Sequence, residues 1–247
     1  MGGKIMTNLS GQIAVVTGAG SGIGRAIAKA LATQGASVCL VGRTRGKLEE
    51  TANSISEPLP RASVFPTDLT VDEQMDRLRE NLTKQFAGVD ILVLCAGEIS
   101  HGAVRDATLD AYDALYRANV RAPYRLIQLL LPILKARAGQ IVVINSSVGL
   151  TAQANVSQFS STQHAMKAVT DSLRSEVNSD GIRVLSVYPG RTATPRQELI
   201  YAKNGQEYHP ERLLQPEDIA SVVINALALP RTAEVTDISI RPFLKSY

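Results

Sequence analysis

Five short apolar runs recur along the chain, at 13–17, 38–41, 91–94, 141–144 and 184–187, and segments with helical spacing separate them. Each run is apolar throughout rather than alternating, as strands are when both faces of a sheet are covered. After the first run, Ile23, Ile27, Ala30 and Leu31 fall on one helix face. Met166, Val169, Leu173 and Val177 repeat the pattern, as do Ile219, Val222, Val223 and Ala226. This alternation predicts an α/β chain, a Rossmann-like doubly wound parallel sheet with right-handed crossovers. Its 247 residues contain no linker, repeat or low-complexity tract, so one domain over 1–247 is expected. The stretch 191–215 has no helical period and contains Pro195, Gly205 and Pro210. It reads as a long loop, a lid over a site, ahead of a helix starting at Pro216-Glu217-Asp218.

Charge and composition remove several classes of function. The 26 basic and 23 acidic residues are scattered, which gives no concentrated basic surface for nucleic acid. No apolar stretch reaches about 18 residues, as a membrane span requires. Met1-Gly2-Gly3-Lys4-Ile5-Met6 lacks the apolar core of a secretory signal. A soluble, cytoplasmic protein with no nucleic-acid or membrane partner is expected. Cys39 and Cys95 sit inside apolar runs and read as reduced, buried thiols. No metal site is expected.

The first run ends in Thr17-Gly18-Ala19-Gly20-Ser21-Gly22-Ile23-Gly24 and passes directly into a helix. Glycines there let the backbone turn sharply and approach a pyrophosphate, while the helix N-terminus offers free N–H groups to the anion. The same glycines serve purely steric needs in other tight turns, so the strand–helix context carries the reading. The second run ends in Val41-Gly42-Arg43-Thr44-Arg45, without the carboxylate that holds an NAD ribose. Guanidinium groups suit the extra phosphate of NADP. Arg43 and Arg45 therefore favour NADP(H) over NAD, the alternative being ordinary surface arginines.

Taken together, these residues resemble the classical short-chain dehydrogenase/reductases over essentially the whole chain. Residues 17–24 match the family's TGxxxGxG turn. Asp68-Leu69 resembles the pair placed beside adenine, and Leu94-Cys95-Ala96-Gly97 its NNAG strand end with both asparagines missing. Asn119-Val120 resembles the proton-relay asparagine of a central helix, and Ile144-Asn145-Ser146-Ser147 the strand end with the catalytic serine. Tyr188-Pro189-Gly190, with Thr192 and Thr194, matches the segment around the nicotinamide. The resemblance implies a cofactor site of Gly18, Ser21, Gly22, Ile23, Gly24, Arg43, Asp68, Leu69, Ala96, Gly97, Gln163, Pro189, Gly190, Thr192 and Thr194. It implies Asn119, Ser147, Phe159 and Gln163 as the catalytic positions, with Ser146 as the alternative serine. A small carbonyl or alcohol is the expected substrate. A homodimer or homotetramer is expected through the helices carrying Asn119 and Phe159, with Leu126, Leu129, Leu130 and Ile133 either at that contact or against the sheet.

The centre departs from the family. Alignment through His164-Ala165-Met166-Lys167 places Phe159 where the family has its tyrosine acid and Gln163 where it has lysine. Phenylalanine keeps the ring and removes the proton. Glutamine can still bond ribose hydroxyls but brings no charge. His164 lies about 100° around the helix from Gln163, and Lys167 about 6 Å further along the axis. His101 is expected at the pocket rim and Ser160 on another helix face. The expectation is an NADP(H)-dependent oxidoreductase without its usual proton-transfer pair. The alternative is a pseudo-enzyme, natural or engineered, that binds NADP(H) as a sensor, partner or non-redox catalyst.

Overall fold

A computed structural model describes residues 9–55 and 62–244; the N-terminal segment read as lacking a secretory signal lies outside the described residues. Seven strands form one sheet: β1 (Ile13–Thr17), β2 (Ser37–Gly42), β3 (Ser63–Pro66), β4 (Ile91–Leu94), β5 (Gln140–Ile144), β6 (Arg183–Pro189) and β7 (Asp237–Ile240). Their order is β3-β2-β1-β4-β5-β6-β7, and every pairing is parallel. Strand order reverses beside β1, between β1 and β4, which in such sheets opens a crevice at the carboxyl ends of the strands.

Alternate strand residues feed two apolar layers. Val16, Leu40, Val93, Val142 and Val187 pack with Ile27 and Leu31 of α1 (Gly22–Thr33) and with Ile219 and Val223 of α8 (Pro216–Leu227). Val15, Val41, Leu92, Val143 and Val184 face the other way. They meet α3 (Asp72–Gln85), α5 (Ala122–Lys135) and α6 (Ser157–Val177) through Met75, Leu126, Leu130, Met166 and Leu173. Leu126 and Leu130 are thus sheet-facing core, and Leu129 and Ile133 pack against the same layer.

Three elements exceed what the residue pattern predicts. β3 and β7 are four-residue edge strands, half-buried or exposed along their length, so neither presents a buried apolar run. The expected loop at 191–215 contains α7 (Pro195–Lys203) and a 3₁₀ turn, Pro210–Arg212. None of the residues of α7 is buried, and a helix that buries no face has no apolar stripe to read. The ends of the segment are nonetheless tied together. Ala193 N–H donates to Leu214 O at 2.7 Å, and Leu214 N–H to Arg191 O at 3.1 Å.

Candidate active site

The glycine turn after β1 is shaped by what its neighbours leave no room for. Gly18 has φ +67°, and a Cβ there would lie 3.0 Å from Ala96 N. A Cβ on Gly24 would come within 2.4 Å of Gly18 O, so only glycine lets α1 start this close to β1. Thr17 fastens β4 to the turn: its Oγ1 donates to Val93 O and accepts from Cys95 N and Ala96 N. Ser21 precedes the first residue of α1 in extended conformation, and its hydroxyl does not cap the helix. Ile23 packs at the rim of the α1 layer. This leaves Gly22, Ile23 and Gly24 at the helix N-terminus, with Gly18 of the same turn against Ala96.

Arg43 follows β2 and extends across the mouth of β1. Its Nη2 lies 2.7 Å from Glu98 Oε1, directly after Gly97. Arg45 pairs along α2 (Arg45–Asn53) with Glu49 at 3.5 Å. Asp68 accepts from Thr70 N at 2.9 Å and Thr70 Oγ1 at 2.7 Å. Burial pushes its carboxyl up, but these bonds and the nearby Arg43 charge outweigh that and hold it below its ordinary value. Leu69 packs on the α3–α6 layer.

Asn119 is buried in a five-residue π turn, Arg117–Arg121, between α4 (Leu109–Tyr116) and α5. Such turns swing a side chain out of ordinary helical register. Its Oδ1 accepts from Glu98 N at 2.7 Å, while its Nδ2 donates to Glu98 O at 2.9 Å and Thr162 Oγ1 at 3.2 Å. Thr162 Oγ1 donates in turn to Phe159 O at 2.8 Å. Gln163 is buried, and its Nε2 reaches Thr162 Oγ1 at 3.5 Å. Asn119 and Gln163 therefore meet at one hydroxyl, at the start of the helix that carries Phe159. Asn145 holds that helix to β5 by donating to Gln163 O at 3.0 Å. Ser146 Oγ accepts from Val148 N at 3.4 Å, and Ser147 opens the 3₁₀ turn Ser147–Gly149.

The remaining site positions lie after β6. Gly190 N–H donates to Ile240 O, and a Cβ on Gly190 would meet the Pro242 ring at 3.0 Å. Thr192 is buried, with Oγ1 donating to Gly190 O. Thr194 Oγ1 caps α7 by accepting from Gln197 N, and its methyl lies where a Cβ on Gly22 would be 3.0 Å away. The base of the 191–215 segment thus rests on the glycine turn.

Two candidate replacement acids, His164 and Lys167, are engaged elsewhere. His164 is exposed, and its Nδ1 lies 2.9 Å from Ser160 O. Lys167 Nζ is paired with Asp171 at 2.6 Å, a bond that raises its pKa. Lys167 has a phenol near it, Tyr188 of β6, whose buried hydroxyl has its pKa raised by burial. The neighbours of that hydroxyl, Ser186 and Asp237, pair with each other in the sheet on the amino-terminal side of Tyr188. Among the described residues the Tyr188 hydroxyl is buried without a hydrogen-bond partner. His101 is exposed, its pKa lowered by burial and by the charges of Arg191 and Lys203.

A family model described as short chain dehydrogenase matches residues 12–205. The chain belongs to the short chain dehydrogenase family. An uncharacterized oxidoreductase of Staphylococcus aureus (strain MW2) is 35% identical over 238 residues, 96% of this chain and 100% of that one. Among solved structures, the L-sorbose reductase of Gluconobacter frateurii, complexed with NADPH and L-sorbose, aligns with TM-score 0.89 at 27% identity, covering 98% of this chain and 100% of the other. An alcohol dehydrogenase of the archaeon Thermococcus sibiricus, complexed with 5-hydroxy-NADP, aligns with TM-score 0.86 at 25% identity over 96% and 98% of the two chains.

Two site residues of this family member escape sequence reasoning. Thr162 is one of many helix hydroxyls until the fold brings Asn119 to it. Glu98 is an isolated acid after a strand, and its partners Arg43 and Arg196 are 55 and 98 positions away (98 − 43 and 196 − 98). Its one visible signal is an acid directly after Ala96-Gly97.

Proposed function

We propose that the protein binds NADP(H) and interconverts a small carbonyl compound and its alcohol, with the family's tyrosine and lysine replaced by Phe159 and Gln163. The observation that carries this reading is the cofactor cradle. Only glycine fits at 18 and 24, Arg43 stands at the end of β2 in place of a carboxylate, and Asn119 and Gln163 converge on Thr162. Gly18, Ser21, Gly22, Ile23 and Gly24 would hold the pyrophosphate, and Arg43, with Arg45 beside it, the 2′-phosphate. Asp68, Leu69, Ala96 and Gly97 line the adenosine side. Gln163, Pro189, Gly190, Thr192 and Thr194 line the nicotinamide side. When bound, that nicotinamide supplies or accepts the hydride.

The chain's own groups do the rest. Ser147, or its neighbour Ser146, hydrogen-bonds the carbonyl oxygen. Phe159 forms an apolar wall and donates no proton, so the proton is exchanged with water. A missing general acid costs about 10²–10⁴ in rate. Loss of the adjoining positive charge costs on the order of 10²–10³ more, and the two need not add because such groups act as a unit. A cytoplasmic homodimer or homotetramer belongs to the same reading. An assembly through the α4–α6 surface would use the exposed Tyr116 and Tyr124, since Leu126 and Leu130 are buried against the sheet.

A second reading, an NADP(H)-binding sensor, partner or non-redox catalyst without turnover, is favoured by His164 and Lys167 both being engaged elsewhere. One experiment separates the two. NADPH binding is measured by fluorescence, and turnover of a ketone panel by cofactor absorbance. Slow turnover that survives Phe159→Ala supports the oxidoreductase; binding with no turnover supports the second reading. Absence of NADPH binding refutes both.

A further inference from the structure

Glu98 joins three parts of the molecule: Asn119 of the π turn, Arg43 after β2 and Arg196 of α7. Asn119 fixes its backbone from both sides, accepting from its N–H at 2.7 Å and donating to its carbonyl at 2.9 Å. One carboxylate oxygen, Oε1, lies 2.7 Å from Arg43 Nη2. The other, Oε2, lies 3.6 Å from Arg196 Nη2 on α7, inside the 191–215 segment. Arg43 follows β2 and Glu98 follows β4, and β1 runs between those strands. The two side chains therefore span roughly 10 Å, two strand spacings, over the carboxyl end of β1 and its glycine turn. They bridge the crevice in which a dinucleotide is expected.

This geometry sets up a competition at one guanidinium. A 2′-phosphate brings close to two negative charges and three acceptor oxygens at neutral pH. It cannot share Arg43 with a carboxylate 2.7 Å away without strong like-charge repulsion, and Asp68 already adds negative charge beside Arg43. Glu98 cannot retreat by its backbone, which Asn119 clamps. Its other carboxylate oxygen already faces a second cation, Arg196.

We propose that Glu98 is a latch that couples the cofactor's 2′-phosphate to the position of α7: its carboxylate holds Arg43 before binding and passes to Arg196 when the phosphate takes Arg43. The inference rests on the NADP(H) reading above. It adds a specificity element to that reading, because a cofactor without the phosphate brings no competing anion to Arg43. Both partners are partly exposed, so the competition is worth what exposed ion pairs are worth, about twofold to fivefold in affinity.

The test is equilibrium binding of NADPH and of NADH, followed by nicotinamide fluorescence, to the wild type, Glu98→Gln and Arg196→Gln. Hydrogen exchange of 195–203 is measured with and without each cofactor. Glu98→Gln should tighten NADPH about threefold relative to NADH and remove the NADPH-dependent protection of 195–203. Arg196→Gln should remove that protection and weaken NADPH slightly. If the wild type prefers NADPH but Glu98→Gln binds it no tighter, or if NADH protects 195–203 as well as NADPH does, the latch is overturned alone. If the wild type shows no preference for NADPH, the cofactor reading falls and the latch with it.

Discussion

Restoring the two absent groups together, Phe159→Tyr with Gln163→Lys, should produce a large gain in carbonyl reduction. The phenol is the easier addition, because Phe159 is only half-buried and needs one more oxygen. The ammonium is harder. Gln163 is 7% exposed, and its amide meets Thr162 Oγ1, which already accepts from Asn119. Burial without a carboxylate partner depresses a lysine's pKa and costs stability, so Gln163→Lys alone should destabilise the fold by about 1–3 kcal/mol. With a charged lysine beside it, the phenol is lowered from about 10 toward working pH and becomes an efficient acid. The double variant should therefore gain about 10²–10⁴ in rate, and Phe159→Tyr alone less. In the reduction direction the new activity should fall as pH rises through the phenol's pKa, since the acid must be protonated. The assay is NADPH absorbance against a ketone panel between about pH 6 and 9, with NADPH binding and thermal unfolding measured on the same samples. A double variant that folds and binds NADPH but gains less than tenfold on every ketone would show that positions 159 and 163 are not the proton-transfer pair.

Three further outcomes follow from the same structure. Gly24→Ala places a Cβ within 2.4 Å of Gly18 O, so NADPH binding measured by fluorescence titration should drop at least tenfold. Leu126→Ala opens a cavity beneath α5 and should cost about 2–5 kcal/mol in denaturant unfolding. Burial pushes the Cys39 thiol up to about 12 from 9.0; at pH 8 it should react with a thiol reagent on the order of a thousandfold more slowly in the folded protein than in urea, whereas Cys95, expected to be buried, is only partly so. A Cys39 that reacts in the folded protein at the unfolded rate would contradict its burial in β2.

The parts of the fold legible in the sequence are those that bury an apolar face. The central strands declare themselves because both sides of Val15–Val16 or Leu92–Val93 are covered. Residues 63–66 and 237–240 carry no such run, because an edge strand is paired on one side and half-exposed. For the same reason α7 is invisible: its best-covered residues, Gln197, Ile200 and Tyr201, are only half-buried and form no buried stripe. The glycine turn and Asn119 can be read as motifs, because backbone geometry fixes the residue type. Glu98 and Thr162 cannot, since their roles come from partners that only the sheet order and the π turn bring within reach.

The most direct measurement is a crystal structure with NADP⁺ bound. The account predicts the 2′-phosphate on Arg43, the Gln163 amide on the nicotinamide ribose and the bare Phe159 ring facing the reacting carbon. A phenol or other hydroxyl backed by a lysine or arginine in that place would contradict it.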